Sequence, residues 1–156
     1  MTYKLNISNH IPAFEAHDQE GRLWTDKTIL QKPAVIYFYP KDDTPGCTKE
    51  ACSFLDNIPH LNSNNVHVFG VSPDSLKSHI KFIEKHNLNF TLLSDESRAL
   101  CEKFDVLHEK QLYGKTYTGV ERSTFIVDTK GIIKWVERDV SVDGHVERIL
   151  EAIKDL

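Results

Sequence analysis

The sequence is short of the features that mark several large classes of protein. Cysteine occurs only three times, and an odd count with two members close together does not build a structural disulfide framework. It reads instead as thiol chemistry in a reducing compartment, so the cytoplasm is the expected location. Long hydrophobic runs are missing, and no bilayer-spanning segment is expected. Met1 to His10 carries one lysine and no extended apolar stretch, so no secretory signal is expected either. Positive charge is not in excess: 19 Lys and Arg stand against 23 Asp and Glu, a net charge of −4. That balance argues against nucleic acid or an anionic membrane as the main partner. Repeats, low-complexity tracts and linkers are absent too, so residues 1–156 are read as one domain.

What is present has the balance of a globular chain, with 40% hydrophobic and 27% charged residues. Ala34 to Tyr39 (AVIYFY) is a continuous apolar and aromatic run, the pattern of a strand buried on both faces, and Pro40 ends it. Val66 to Ser72 repeats the pattern, and Thr91 to Leu93 is a short third strand. Ahead of them, Ala13–His17 and Arg22–Thr25 flank a turn and predict an N-terminal hairpin. Helices are predicted over Pro45–Asn57, from Pro73 to His86 with Leu76, Ile80 and Ile83 on one face, over Ser97–Phe104, and from Gly144 to Leu156. Pro59 is placed just beyond the first of these, and Asp105 to Gly119 is read as a loop. Strands Ser123–Val127 and Ile132–Glu137 close on the turn Asp128 to Gly131. The order describes an α/β domain with a mixed sheet flanked by helices, which a thioredoxin-like arrangement satisfies.

The informative stretch is YPKDDTPGCTKEAC, Tyr39 to Cys52. Thr44 stands at the N-cap position and Pro45 in the first turn, so Cys47 falls where free backbone N–H groups and the positive helix end favour an anion. A thiolate is the nucleophile in cysteine chemistry, and such a location favours it. The Thr44 hydroxyl is near enough in sequence to line the same pocket, and Pro40 and Pro45 stiffen the loop. Cys52 follows after four intervening residues, which is neither a thioredoxin-type pair nor a zinc knuckle. On an intact helix this spacing sets the Cα atoms about 8–9 Å apart, beyond the ~7 Å limit for a disulfide. Pairing of Cys47 with Cys52 therefore requires the first turns to unwind. The plainer reading keeps both as buried hydrophobes.

The segment resembles the active-site motif of the Q-type peroxiredoxins, the bacterioferritin comigratory proteins. The general peroxiredoxin signature P-x-x-x-T-x-x-C is matched by Pro40, Thr44 and Cys47, and the family's R-S-T-F-x-x-D segment by Arg122 to Asp128. The likeness extends to Phe69–Ser75, Leu93–Asp95, Tyr113–Lys115 and Gly144-His145, nearly the length of the chain. It implies a thioredoxin-like fold and a thiol peroxidase. In that scheme Cys47 attacks the peroxide. The Cys47 and Gly46 backbone N–H groups, the Thr44 hydroxyl and Arg122 stabilise the developing charge, and Pro40 shields the sulfur. Cys52 then resolves the sulfenic acid as an intramolecular disulfide, which thioredoxin or a glutaredoxin-like dithiol reduces. The scheme needs no metal, flavin or haem, and no second subunit, so a monomer is expected.

Two other readings stand beside this one: a thiol–disulfide oxidoreductase acting on proteins, and a redox-regulated holdase that uses helix unfolding as its signal. Cys101 is an alternative resolving cysteine, since some family members place theirs on another helix. The eight histidines, His79 and His86 among them, show no metal-ligand spacing and are read as solvated surface groups. Asp42 and Asp43 are read as loop-solvating and local hydrogen-bonding groups, and Trp24 and Trp135 as packing residues.

Overall fold

In the computed structural model, which describes residues 2–156, the apolar run after Pro33 becomes the centre of a sheet. This strand, β3 (Ala34–Phe38), is buried at all five positions. Ala34, Ile36 and Phe38 enter one apolar cluster, while Val35, Tyr37 and then Tyr39 enter the other. The alternation follows from the two-residue period of a strand, and burial of both faces is why the sequence shows no polar alternation.

Parallel neighbours on one side are β4 (His67–Ser72) and beyond it β5 (Thr91–Ser94). On the other side β8 (Ser123–Val127) pairs antiparallel with β3, and β9 (Ile133–Glu137) antiparallel with β8. The N-terminal hairpin of β1 (Glu15–Asp18) and β2 (Leu23–Thr25) joins by β1 to β5, giving a mixed seven-stranded sheet in the order β2-β1-β5-β4-β3-β8-β9. Asp18 makes that hairpin: Oδ1 accepts from the N–H of Glu20 and Arg22, and Oδ2 from the Trp24 indole at 2.9 Å. Trp24 is buried packing, as expected.

Helices α1 (Pro45–Ser63), α2 (Leu76–His86) and α4 (His145–Ile153) send Ala51, Phe54, Phe82, Val146 and Ile149 into the Tyr37 cluster. The short α3 (Ala99–Lys103) buries Leu100 and Cys101 in the other cluster. Among the described residues, no helix is long and apolar enough to cross a membrane.

Three sequence expectations are corrected. Helix α1 does not stop before Pro59 but runs through it to Ser63. Proline there removes one helical hydrogen bond at a cost of about 3 kcal/mol, and continued burial of Ile58 and Leu61 offsets it. The supposed loop after Asp105 is an antiparallel hairpin of β6 (Leu107–Leu112) and β7 (Lys115–Val120). Its turn residues Tyr113 and Gly114 both have positive φ, 52° and 77°, as a tight primed turn requires. The face of α2 is also shifted: His79 and Phe82 are buried, whereas Ile80 is 41% exposed.

The register of β3 with β8 matters most for function. Phe38 pairs with Ser123, so Arg122 emerges beside Tyr39, at the same sheet edge from which the chain leaves for α1. The backbone N–H of Val140 donates to the Arg122 carbonyl at 3.0 Å and fixes this exit.

Candidate active site

Strand β3 delivers the chain through Pro40 to a loop that ends at Thr44, whose extended backbone (φ −85°, ψ 156°) starts α1 as its N-cap. The Thr44 carbonyl accepts the first helical bond, from the N–H of Thr48 at 2.8 Å. Its hydroxyl donates to the Lys41 carbonyl at 3.0 Å and so closes the loop on itself. The expectation that this hydroxyl donates into the pocket is not what the hydrogen bonds show. Pro45 occupies the first helical position, where its missing N–H costs nothing.

Cys47 is the third residue of α1, in the turn whose N–H groups have no intrahelical acceptor. Its side chain is buried, 1% exposed. Arg122 Nη2 donates to Sγ at 3.3 Å, while Nη1 donates to Glu50 Oε1 at 2.6 Å. Burial alone would lower the Arg122 pKa, but Glu50 and then Cys47 outweigh it and raise it. The guanidinium is thus a fixed cation. Gly46 makes room for it, because a Cβ there would lie 3.2 Å from Nη2.

Glu50 is a site residue that the sequence analysis did not single out. It is buried at 1% exposure on the same helix face as Cys47, Ala51, Phe54, Ile58 and Leu61. A carboxylate on an apolar stripe is costly without a partner, and that spacing was the signal available.

Cys52 lies on the continuous helix, partly buried, with a free thiol. Cys101 is free as well but fully buried, and burial, then Asp95, push its thiol far up. It belongs to the cluster on the opposite face of the sheet from Cys47. A cleft of about 320 Å³ opens over Arg122, lined also by Pro40, His108, Lys110, Glu121 and Val140.

Residues 7–136 match the AhpC/TSA family. The chain is 43% identical to the peroxiredoxin Bcp of Bacillus subtilis over 97% of each chain, and 40% identical to that of Escherichia coli over 97% of each. The chain belongs to the AhpC/TSA family, as a Q-type peroxiredoxin. The bacterioferritin comigratory protein of Xanthomonas campestris superposes with a TM-score of 0.90 at 38% identity, covering 96% of this chain and 98% of that one. A thioredoxin-like peroxiredoxin fold therefore accounts for the mixed sheet and its flanking helices, and membership makes the chain a thiol peroxidase.

The peroxiredoxin loop is pinned from behind by a second buried cluster, and here the reading of Asp42 and His79 as solvated groups is corrected. Asp42 accepts from Tyr39 Oη (2.6 Å), Ser78 Oγ (2.8 Å) and His79 Nδ1 (2.7 Å). The opposite nitrogen, His79 Nε2, lies 2.9 Å from the Leu93 carbonyl. A carboxylate and a carbonyl can only accept, so both ring nitrogens carry hydrogen and the ring is cationic. Asp42, Asp74 and His79 stand close enough to be taken for a metal site. An imidazole donating from both nitrogens has no lone pair left to ligate one.

Proposed function

We propose that Cys47 is the attacking thiol of this peroxidase, that Cys52 resolves it, and that thioredoxin or a similar dithiol recycles the pair. The observation that carries the reading is the 3.3 Å contact of Arg122 Nη2 with Cys47 Sγ at the N-terminus of α1. The thiolate attacks the terminal peroxide oxygen, an S–O bond forms and the O–O bond breaks. Sulfur gives up two electrons, and the leaving oxygen takes a proton to depart as water or an alcohol. Negative charge spreads over sulfur and both oxygens in the transition state, where preorganised donors act best. Arg122 and the backbone N–H groups of Gly46 and Cys47 are those donors. Thr44 holds the loop that presents them, and Pro40 walls the sulfur from solvent.

In the second step Cys52 sulfur attacks the sulfenic sulfur, an S–S bond forms and the S–O bond breaks, with oxygen leaving as water. The helix separates the two cysteines, so the turn between them unwinds for this step. Cys52 is favoured over Cys101 because the sheet stands between Cys101 and Cys47. An external dithiol then supplies two electrons by exchange. Hydrogen peroxide and organic hydroperoxides are the substrates. Support for the latter comes from the alkyl peroxide reduction activity of the Xanthomonas relative. The resolving bond lies within one chain, so a monomer in the cytoplasm suffices.

Stoichiometric peroxide followed by disulfide mapping and a thioredoxin-coupled assay tests the reading. A Cys47–Cys52 bond with sustained turnover is expected. A Cys47–Cys101 bond overturns the resolver, and no consumption of peroxide overturns the role of Cys47.

A further inference from the structure

Glu50 is a buried carboxylate whose two oxygens face two different basic groups. Oε1 accepts from Arg122 Nη1 at 2.6 Å, and Oε2 lies 3.1 Å from His145 Nδ1. The second contact is not aligned as a straight hydrogen bond, and neither Oε2 nor Nδ1 has a hydrogen-bond partner elsewhere. Across the ring, His145 Nε2 is 2.9 Å from the Thr124 hydroxyl. His145 is 1% exposed and Thr124 fully buried, so bulk water does not reach either group. The edge of the His145 ring also meets Phe54, with centroids 5.7 Å apart at 86°, which holds its plane.

These contacts select a tautomer. A lone pair on Nδ1 would face Glu50 Oε2 across 3.1 Å, two buried acceptors opposed, which is unfavourable. Nδ1 therefore carries the hydrogen, and the Thr124 hydroxyl serves Nε2, since a hydroxyl can turn to donate.

We propose that His145 is a positioning residue for the peroxidase reaction: its Nδ1–H steadies Glu50, Glu50 steadies Arg122, and Arg122 meets the Cys47 sulfur. The assignment rests on the roles given above to Cys47 and Arg122. A carboxylate with one oxygen unserved in the interior turns or takes up a proton. Either change loosens the guanidinium that faces the reacting sulfur, and a displacement of about 1 Å at such a group costs on the order of 100-fold in rate.

The test measures the rate of Cys47 sulfenic acid formation with hydrogen peroxide, trapped with dimedone. His145→Leu is expected to slow this step about 10-fold, part of the loss that a full displacement of the guanidinium would bring. His145→Asn places an amide N–H where Nδ1–H stood and is expected to recover to within about 3-fold of wild type. In a Glu50→Gln background, His145→Leu is expected to add no more than about 2-fold, because coupled residues are not additive. A wild-type rate in His145→Leu, no recovery in His145→Asn, or a full second loss in the Glu50→Gln background each overturns the proposal. Thr124→Val, nearly equal in volume, removes the hydroxyl that fixes the ring and is expected to slow the step about 3-fold. A wild-type rate there overturns the chain of contacts even where His145→Leu does not fold. A wild-type protein that forms no sulfenic acid sinks the role of Cys47 instead.

Discussion

Asp42 and His79 meet at 2.7 Å with side-chain exposures of 3% and 0%, one on the loop that leads into α1 and the other on α2. The ion pair ties the start of α1 to a second helix and, through the Leu93 carbonyl, to β5. Burial works against the charged ring, but the Asp42 hydrogen bond and charge outweigh it, so the His79 pKa is raised. The stabilisation from this pair is complete below the unfolded histidine value of about 6.5. It is lost as pH rises through the higher folded value. Replacement by His79→Leu leaves Asp42 buried beside two hydroxyls and is expected to cost about 3–5 kcal/mol near neutral pH. Urea unfolding across the pH range checks both statements. A loss in the variant that is as large above the folded pKa as it is below about 6.5 sinks the charged-ring assignment.

The two cysteines separate the half-reactions. Cys47→Ser is expected to abolish peroxidase turnover. Cys52→Ser is expected to allow one round of Cys47 oxidation and then stop in a thioredoxin-coupled assay. Full cycling in Cys52→Ser removes Cys52 as the resolver.

Arg122→Ala is expected to slow peroxide attack by about 100-fold or more, the loss of a preorganised cationic donor, with the fold retained. Gly46→Ala is a gentler probe, since its Cβ meets only the end of the Arg122 side chain, at 3.2 Å. We expect Gly46→Ala to slow the same step several-fold with less than about 1 kcal/mol of destabilisation. Unchanged oxidation kinetics in Arg122→Ala would remove it from the site.

Gly70 offers a test of packing in the sheet itself. A Cβ at this position of β4 would lie 2.7 Å from a Leu92 methyl and 2.9 Å from the Tyr37 ring. Both neighbours are buried and cannot swing away, so Gly70→Ala is expected to cost about 1–3 kcal/mol. A thermal midpoint equal to that of the wild type contradicts this packing.

Much of the fold was legible because its signals are local. The unbroken run of β3 needs no partner to be read as a doubly buried strand, and Thr44-Pro45 marks the start of α1 at the right residue. The β6–β7 hairpin was not legible, since most of its positions are exposed and no alternation appears. The deeper shell of the site failed to show for a different reason. Asp42, Glu50, His79 and His145 look like surface residues in sequence, because a buried charge is recognised only by its partner. Those partners lie far along the chain, Glu50 from Arg122 by 72 positions and Asp42 from His79 by 37. Glu50, on the apolar stripe of its own helix, left a local trace. The loop aspartate Asp42 left none.

The sheet that divides Cys47 from Cys101 has a practical consequence for anyone following this molecule in solution. Cys52 sits partly open on a helix, whereas Cys101 is sealed in the other cluster. Modification of Cys52 is expected to outpace that of Cys101, which waits at least for α3 to leave the sheet. The chain thus carries two native thiols of unequal shelter, one on each side of the sheet, with no engineered label required.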